Sequence, residues 1–318
     1  MRRLEKLSTE TVTITEVCPR DGFQNLPRVL DTDVKVRVIN ELIDCGFNQI
    51  EVSSFVHPKA IPQLQDAEEV FEKINRNENV TFRALVPNLK GLERAITSKV
   101  EKIKLMLSAS DSHSLSNANC LTAEALEGFK PLVEKCSENR VTLTGSISVA
   151  FGCPYEGKVP LKRLIDICKK YGELGIKEIS LADTAGMANP VLTRKVVKEL
   201  YKQFPDFKFS LHMHNTRGMA FANIVAAYEE GIRDFDSSVA GFGGCPYSPN
   251  ASGNISTEDL VHGFEEMGIS TGIDLDKVLE TGRCLGKLYN GHVDSFILKA
   301  GKNSDLKISP KQQSKIGN

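Results

Sequence analysis

Eight times along the chain, a short run rich in β-branched and apolar residues is followed by a segment of helical periodicity. The runs are VTITEV (12–17), QIEVSSF (49–55), VTFRALV (80–86), KIKLMLS (102–108), VTLTGSISVAF (141–151), IKEISLA (176–182), KFSLHMH (208–214) and IRDFDSSVA (232–240), each bounded by turn residues and each read as a strand. The segment from Val34 carries Val34, Val38, Leu42 and Ile43 on one face, and Gly46 supplies a stop. Comparable spacing predicts helices over 63–74, 91–98, 122–136, 161–174, 191–203, 219–229 and 257–267. Strands separated by helices pair in parallel through right-handed crossovers. Eight such units predict a closed (β/α)8 TIM barrel; the G-x-G-x-x-G fingerprint of an open dinucleotide-binding sheet is absent after the first run.

Length agrees with this reading. Barrels of this kind run to about 250 residues, so 318 residues accommodate one barrel over 1–271 and a C-terminal extension over 272–318. The extension is expected to hold one helix, 275–289, and a polar tail packed on the barrel. Lys and Arg number 40 against 41 Asp and Glu, a net charge of −1, which argues against a nucleic-acid surface. No run approaches the roughly 20 apolar residues that span a bilayer, so no membrane partner is expected. The eight cysteines form no C-x-x-C pair, the N-terminal MRRLEKLSTETVTI has no apolar secretory core, and the final KIGN is not a peroxisomal address. A cytoplasmic protein with reduced thiols is expected.

In such a barrel the chemistry gathers where strands end. Arg20, Asp21 and Gln24 follow the first strand, Glu51, Ser53 and Ser54 close the second, and Asn88 and Lys90 follow the third. Ser180, Asp183 and Thr184 close the sixth, His212 and His214 the seventh, and GFGGCPYSPNASGN follows the eighth. The period-two geometry of a strand points His212 and His214 to the same side. Alone, the pair reads equally as two hydrogen-bonded interior histidines or as two metal ligands. Asp21, on a neighbouring strand once the barrel closes, makes a set of oxygen and nitrogen donors that suits Mg²⁺ or Mn²⁺ better than structural zinc. Asn254 could add an amide oxygen. Arg20 could form a simple salt bridge, but beside a ligand its guanidinium suits a developing oxyanion. Glu51 could accept from Arg20, and Asp183 could orient a neighbour or act as a base. Cys245, between glycines and a proline, is a candidate acid or base; Cys45, Cys136 and Cys168 read as core, and Cys153 in a second GCPY stays open.

The motifs PRDGFQN (19–25), IEVSSFVHPK (50–59), PNLKG (87–91), FGCPYEGK (151–158), EISLADTAG (178–186), HMHNTRG (212–218) and GGCPYSPNASGN (243–254) together resemble the 3-hydroxy-3-methylglutaryl-CoA lyase family over nearly the whole chain. The resemblance implies a homodimeric, metal-dependent barrel that cleaves a small-molecule acyl-CoA by a retro-Claisen reaction, serving leucine degradation or ketone-body formation. It implies Asp21, His212, His214 and Asn254 as metal ligands, Arg20 as stabiliser of the enolate and Cys245 as the loop acid/base. Glu51, Asp183 and Glu258 would support catalysis, with His212, Asp183 and Cys245 as candidate bases. Gln24, Ser54, Ser180 and Thr184 would line the acyl site, and Asn88 and Lys90 would lie near CoA.

Two positions depart from the pattern. Asn215 stands where Asp usually follows the second histidine and is expected to reduce metal affinity or ligand basicity; Cys18 replaces a usual glycine and is expected to crowd the exit of the first strand and to narrow or reshape the acyl pocket. The alternatives are a lyase for a longer or differently branched 3-hydroxy-3-carboxymethyl-acyl-CoA, a Claisen-condensing synthase, and a catalytically silent barrel. Cys-Pro in the glycine loop, where synthases carry Glu-Arg, disfavours the synthase.

Overall fold

In the computed structural model, which describes residues 10–244, 253–288 and 293–306, all eight runs become strands. They are β1 (Thr13–Glu16), β2 (Gln49–Ser54), β3 (Thr81–Leu85), β4 (Lys102–Ser108), β5 (Thr142–Ser148), β6 (Glu178–Asp183), β7 (Lys208–Met213) and β8 (Asp234–Ser237). Each pairs in parallel with its sequence neighbours, and β1 pairs with β8, so the sheet closes as a (β/α)8 barrel. All strands therefore end on one rim. Buried on both faces, they divide their residues by alternation: Ile103, Leu105 and Leu107 of β4, Phe209 and Leu211 of β7 and Phe235 of β8 join the apolar core, while the charged residues between them meet one another across the barrel interior.

The helices are α1 (Thr32–Asp44), α2 (Ala67–Lys73), α3 (Leu89–Thr97), α4 (Asp111–Ala118), α5 (Thr122–Gly128), α6 (Lys130–Asn139), α7 (Leu161–Glu173), α8 (Pro190–Gln203), α9 (Ala220–Glu229), α10 (Thr257–Glu266), α11 (Leu275–Leu288) and α12 (Phe296–Ala300). The helix expected over 122–136 is two. Pro131 in the first turn of α6 has no N–H to continue the ladder, and the chain breaks at Phe129. The unexpected α4 is polar in sequence; Ser110 caps it by accepting from the His113 N–H. α12 is a further helix where a polar tail was expected. α11 matches the expected extension helix as far as Leu288, with Tyr289 outside the described residues, and packs on α1, α10 and the 3₁₀ turn Val239–Gly241. Among the described residues, no helix is long and apolar enough to cross a membrane.

A glycine inside a strand usually weakens it, and Gly145 of β5 has a packing reason. Tyr171 of α7 is fully buried, and its hydroxyl donates to the carbonyls of Leu105 (2.9 Å) and Ser146 (3.0 Å), laying the ring against the strand. A Cβ at Gly145 would sit 3.0 Å from ring carbons, whereas one at Gly128, at the end of α5, meets nothing within 4 Å. Gly145→Ala is expected to cost about 1–3 kcal/mol through overpacking, and Gly128→Ala to be neutral or slightly stabilising. Thermal denaturation of both variants checks the contrast.

Candidate active site

The rim brings separate segments together through backbone bonds. After β1 the chain tightens into a π-helical turn, Cys18–Gly22, with the Asp21 N–H donating to the Val17 carbonyl at 2.7 Å. This turn carries Arg20 and Asp21, both buried. β7 delivers His212 and leads to His214, and the segment returning from β8 lies antiparallel beside them, with His214 bridged to Asn254. The Ile255 N–H donates to Met213 (3.0 Å) and that of Asn215 to Gly253 (3.1 Å).

Asp21, His212 and His214 converge so that one ligand atom from each lies within 4.8 Å of the others. His212 Nε2 is 3.2 Å from His214 Nε2 and 3.8 Å from Asp21 Oδ2. On its far side, His212 Nδ1 meets Asp236 Oδ2 at 3.2 Å. Two imidazole nitrogens turned toward each other beside a carboxylate oxygen fit a divalent cation. Burial works against ionising Asp21, but Arg20, His212 and His214 outweigh it and hold the carboxyl below its ordinary range. Asn254 differs from expectation. Its amide nitrogen donates to Asp21 Oδ2 (2.6 Å) and to the Phe242 carbonyl (3.0 Å); two acceptors select the nitrogen, so its oxygen is not the atom presented to Asp21.

Arg20 is clamped from two sides, by Nη1 on Asp21 Oδ1 at 2.6 Å and by Nε on Glu51. Burial opposes the charge on Arg20, but Glu51 and Asp21 raise its pKa above the ordinary value. Glu51 in turn meets Lys104 (2.5 Å) and Arg83 (3.4 Å), and these same two cations reach Asp236 at 3.2 and 3.0 Å. Burial alone would lift the Glu51 carboxyl; Arg20, Lys104 and Arg83 instead hold it at about 2. Arg83, Lys104 and Asp236 are not among the residues anticipated from sequence. Their signal is the alternation in RAL, KIK and DFD, where charges on one face of a strand buried on both sides must point into the barrel.

The HMGL-like family model matches residues 11–285. This chain belongs to that family. Hydroxymethylglutaryl-CoA lyase YngG of Bacillus subtilis is 42% identical to it, over 92% of this chain and 98% of that one. The human mitochondrial hydroxymethylglutaryl-CoA lyase is 37% identical, over 91% and 89% of the respective chains. Among solved structures, an HMG-CoA lyase from Acinetobacter baumannii in complex with coenzyme A and 3-methylmalate superimposes with a TM-score of 0.91 at 44% identity, covering 94% of this chain and 98% of that one. The family places the protein among the carbon–carbon lyases.

Within this HMGL-like barrel the remaining expected residues have varied surroundings. Gln24 donates to Asp21 Oδ1 at 3.0 Å. Ser180 is buried, and Ser54 donates to the Leu85 carbonyl at 3.2 Å. Thr184 accepts the Val149 N–H at 3.1 Å, holding a β-branched residue at φ +51°. Asp183 accepts from Met187 N–H (2.8 Å) with one oxygen and Ala188 N–H (3.0 Å) with the other, while burial, opposed by these bonds, lifts its carboxyl to about 6. Asn88 and Lys90 are exposed, and Asn88 caps α3 through the Gly91 N–H. Asn215 directs its amide oxygen to the Ala220 N–H at 3.2 Å, so the departure falls on the start of α9 rather than on a histidine ring. The Cys18 thiol is fully buried against Gly22 and Ser238, and what it crowds is the turn behind Asp21. Cys153 is buried too, its sulfur accepting from Ser110 at 2.9 Å. Cys245 lies outside the described residues.

Glu258 is not bonded to the cation cluster. Both its oxygens accept the Ala240 N–H at 3.0 Å, at the root of the glycine-rich segment. Glu16 works beside it: Oε1 accepts from Cys18 N–H (2.8 Å) and Val239 N–H (3.0 Å), and Oε2 from Thr257 at 2.6 Å. Burial, against these hydrogen bonds, lifts Glu16 to about 7 and Glu258 to about 8.

Two outcomes are expected. Gly243 has φ +130°, and a Cβ there would lie 2.2 Å from Asn254 Nδ2 and 2.9 Å from Asp21 Oδ2. Gly243→Ala should therefore displace Asp21 and weaken Mn²⁺ binding about 10–100-fold, as read by calorimetry. Separately, because the folded pKa values of Glu16 and Glu258 exceed the unfolded ones, the folded chain holds more protons, and stability falls as pH rises through them. The melting temperature should fall from about pH 4.5, the ordinary carboxyl value, to about pH 8, and Glu258→Gln should flatten that drop, most completely above about pH 7.

Proposed function

We propose that this protein is a divalent-cation-dependent lyase that cleaves 3-hydroxy-3-methylglutaryl-CoA into acetyl-CoA and acetoacetate. The observation that carries the reading is Arg20: a buried guanidinium clamped by Asp21 and Glu51, directly beside the Asp21, His212 and His214 donors. Relatives named for this reaction, and the coenzyme A held by the Acinetobacter structure, support an acyl-CoA substrate.

In the cleavage, the tertiary hydroxyl of the substrate loses its proton, its oxygen becomes the ketone of acetoacetate, and the bond to the carbon beside the thioester breaks. The released electron pair forms the acetyl-CoA enolate, which a proton then converts to acetyl-CoA. Bound at Asp21, His212 and His214, with Asn254 in reach after a turn of its amide, Mg²⁺ or Mn²⁺ would supply Lewis-acid polarisation of the hydroxyl. Arg20 stabilises the enolate oxygen with donors fixed in advance. Gln24 and Glu51 keep Asp21 and Arg20 in place. Of the candidate bases, His212 has its lone pair committed to the donor set. Asp183, lifted to about 6, is poised for proton removal near neutral pH. Cys245 is assigned the return of a proton to the enolate carbon. Ser54, Ser180 and Thr184 are assigned to the acyl group, and Asn88 and Lys90 to CoA. Glu258 supports the reaction through the turn that leads to Cys245. We also assign the protein to the cytoplasm, as a homodimer; the seven described cysteines are all free thiols, as a reducing compartment would keep them.

Purified protein with Mg²⁺ or Mn²⁺ and 3-hydroxy-3-methylglutaryl-CoA is expected to release acetyl-CoA, and faster than with longer-branched analogues. Arg20→Gln should slow release about 10²–10³-fold, the cost of losing one preorganised donor, while retaining Mn²⁺ binding. Near-normal turnover in that variant would remove Arg20 from the chemistry. No release from any analogue would overturn the lyase reading.

A further inference from the structure

Asp236 contacts the cation cluster without belonging to it. It lies on β8, buried, with Oδ2 meeting both His212 Nδ1 and Lys104 Nζ at 3.2 Å and Oδ1 accepting from Arg83 Nη2 at 3.0 Å. Lys104 reaches it from β4 and Arg83 from β3, across the barrel interior. We propose that Asp236 is a positioning residue for the cation site, selecting the His212 tautomer that turns a lone pair toward Asp21 and His214, and that Lys104 and Arg83 hold it to that task. The inference rests on the reading of Asp21, His212 and His214 as a cation site.

A neutral imidazole has one N–H and one lone pair, and the hydrogen bond at one nitrogen decides what the other offers. If His212 carried its proton on Nε2, that hydrogen would point into the space between His214 Nε2 at 3.2 Å and Asp21 Oδ2 at 3.8 Å, closing the site to a cation. The acceptor at Nδ1 excludes this arrangement. Asp236 can serve because it is not free to move: one oxygen is tied to Arg83, and the other is shared between Lys104 and the ring. Glu51 receives the same two cations yet meets Arg20 instead of a histidine. The shared Lys104 and Arg83 thus partition two buried carboxylates, one to the arginine and one to the cation ligand.

The test is Mn²⁺ binding to the full chain, by calorimetry and by the electron paramagnetic resonance signal of free Mn²⁺. Asp236→Leu combined with Lys104→Met removes the acceptor while conserving the balance of buried charge, and apolar replacement of a buried ion pair is commonly tolerated. The double variant should bind Mn²⁺ about 10–100-fold more weakly than the parent, the usual cost of losing such an outer partner, whereas Lys104→Met alone, in which Arg83 still holds Asp236 Oδ1, should lose clearly less. Parental affinity in the double variant overturns the proposal, and so does an equal loss in Lys104→Met. If the double variant fails to fold, Asp236→Asn preserves the volume, and ¹⁵N chemical shifts of the metal-free protein report the ring directly. His212 should be protonated on Nδ1 in the parent and shift toward Nε2 in this variant; an unchanged tautomer with parental Mn²⁺ affinity rejects the role. A parent that binds no Mn²⁺ would instead refute the cation site itself, a separate result.

Discussion

A closed barrel with charges inside it must balance them there. Arg20, Arg83 and Lys104 face Asp21, Glu51 and Asp236, three cations against three carboxylates, all buried. Leaving one of them unpartnered would cost roughly 3–5 kcal/mol, which is comparable with the net stability of many domains. Strand register is therefore tied to the site. Glu51 is the register partner of Arg83, and His212 that of Asp236. A slip of one residue on either strand would turn a charge into the apolar layer under the helices and an apolar side chain into the ionic one. The alternation that buries Ile103, Leu105 and Phe235 also aims Lys104 and Asp236.

The molecule treats its buried acids in two ways. Those around Arg20 are ionised by neighbouring cations. Among the described residues Glu16 and Glu258 have no such cation among their contacts and rely on backbone N–H groups and, for Glu16, the Thr257 hydroxyl, so burial prevails and both are lifted toward neutrality. Their positions give them a structural meaning. Glu16 joins the N–H of Cys18, at the exit of β1, to that of Val239, at the exit of β8, while Glu258 holds Ala240 at φ +59°. The segments that carry Asp21 and Asn254 thus share an anchor beneath the rim, and the 2.6 Å contact between those two side chains forms above it.

Much of this was legible in the order of residues. Periodicity identified every strand, because a parallel strand is a short apolar run between turn signals and needs no long-range information to be recognised. It failed where one residue overrode the pattern: Pro131 split a helix whose apolar spacing ran straight through it, and α4 was hidden because a capped polar helix carries little periodic signal. At the site, Asp21, His212 and His214 were legible because alternation and barrel closure together bring them to one mouth. Asp236, Lys104 and Arg83 were not, since their importance depends on contacts between strands that are far apart in sequence. Asn88 shows one residue type carrying two signals: an amide at a strand exit reads as a ligand contact, and its oxygen is also what the start of α3 requires.

The balance of charge inside the barrel also bears on why the proposed cation and substrate belong together. With neutral histidines, the interior set sums to no net charge, so a divalent cation would bring two positive charges into a region of low polarisability. A carboxylate and a developing enolate compensate them, and Arg20 is already fixed by Asp21 and Glu51 where that negative charge would grow. A chain of net charge −1 does not attract an anionic acyl-CoA in bulk. Attraction has to be local, and it is strongest where the dielectric is lowest. Arg20, fixed by Asp21 and Glu51 before the reaction, would meet most strongly the charge that forms during cleavage, which is the difference on which catalysis depends.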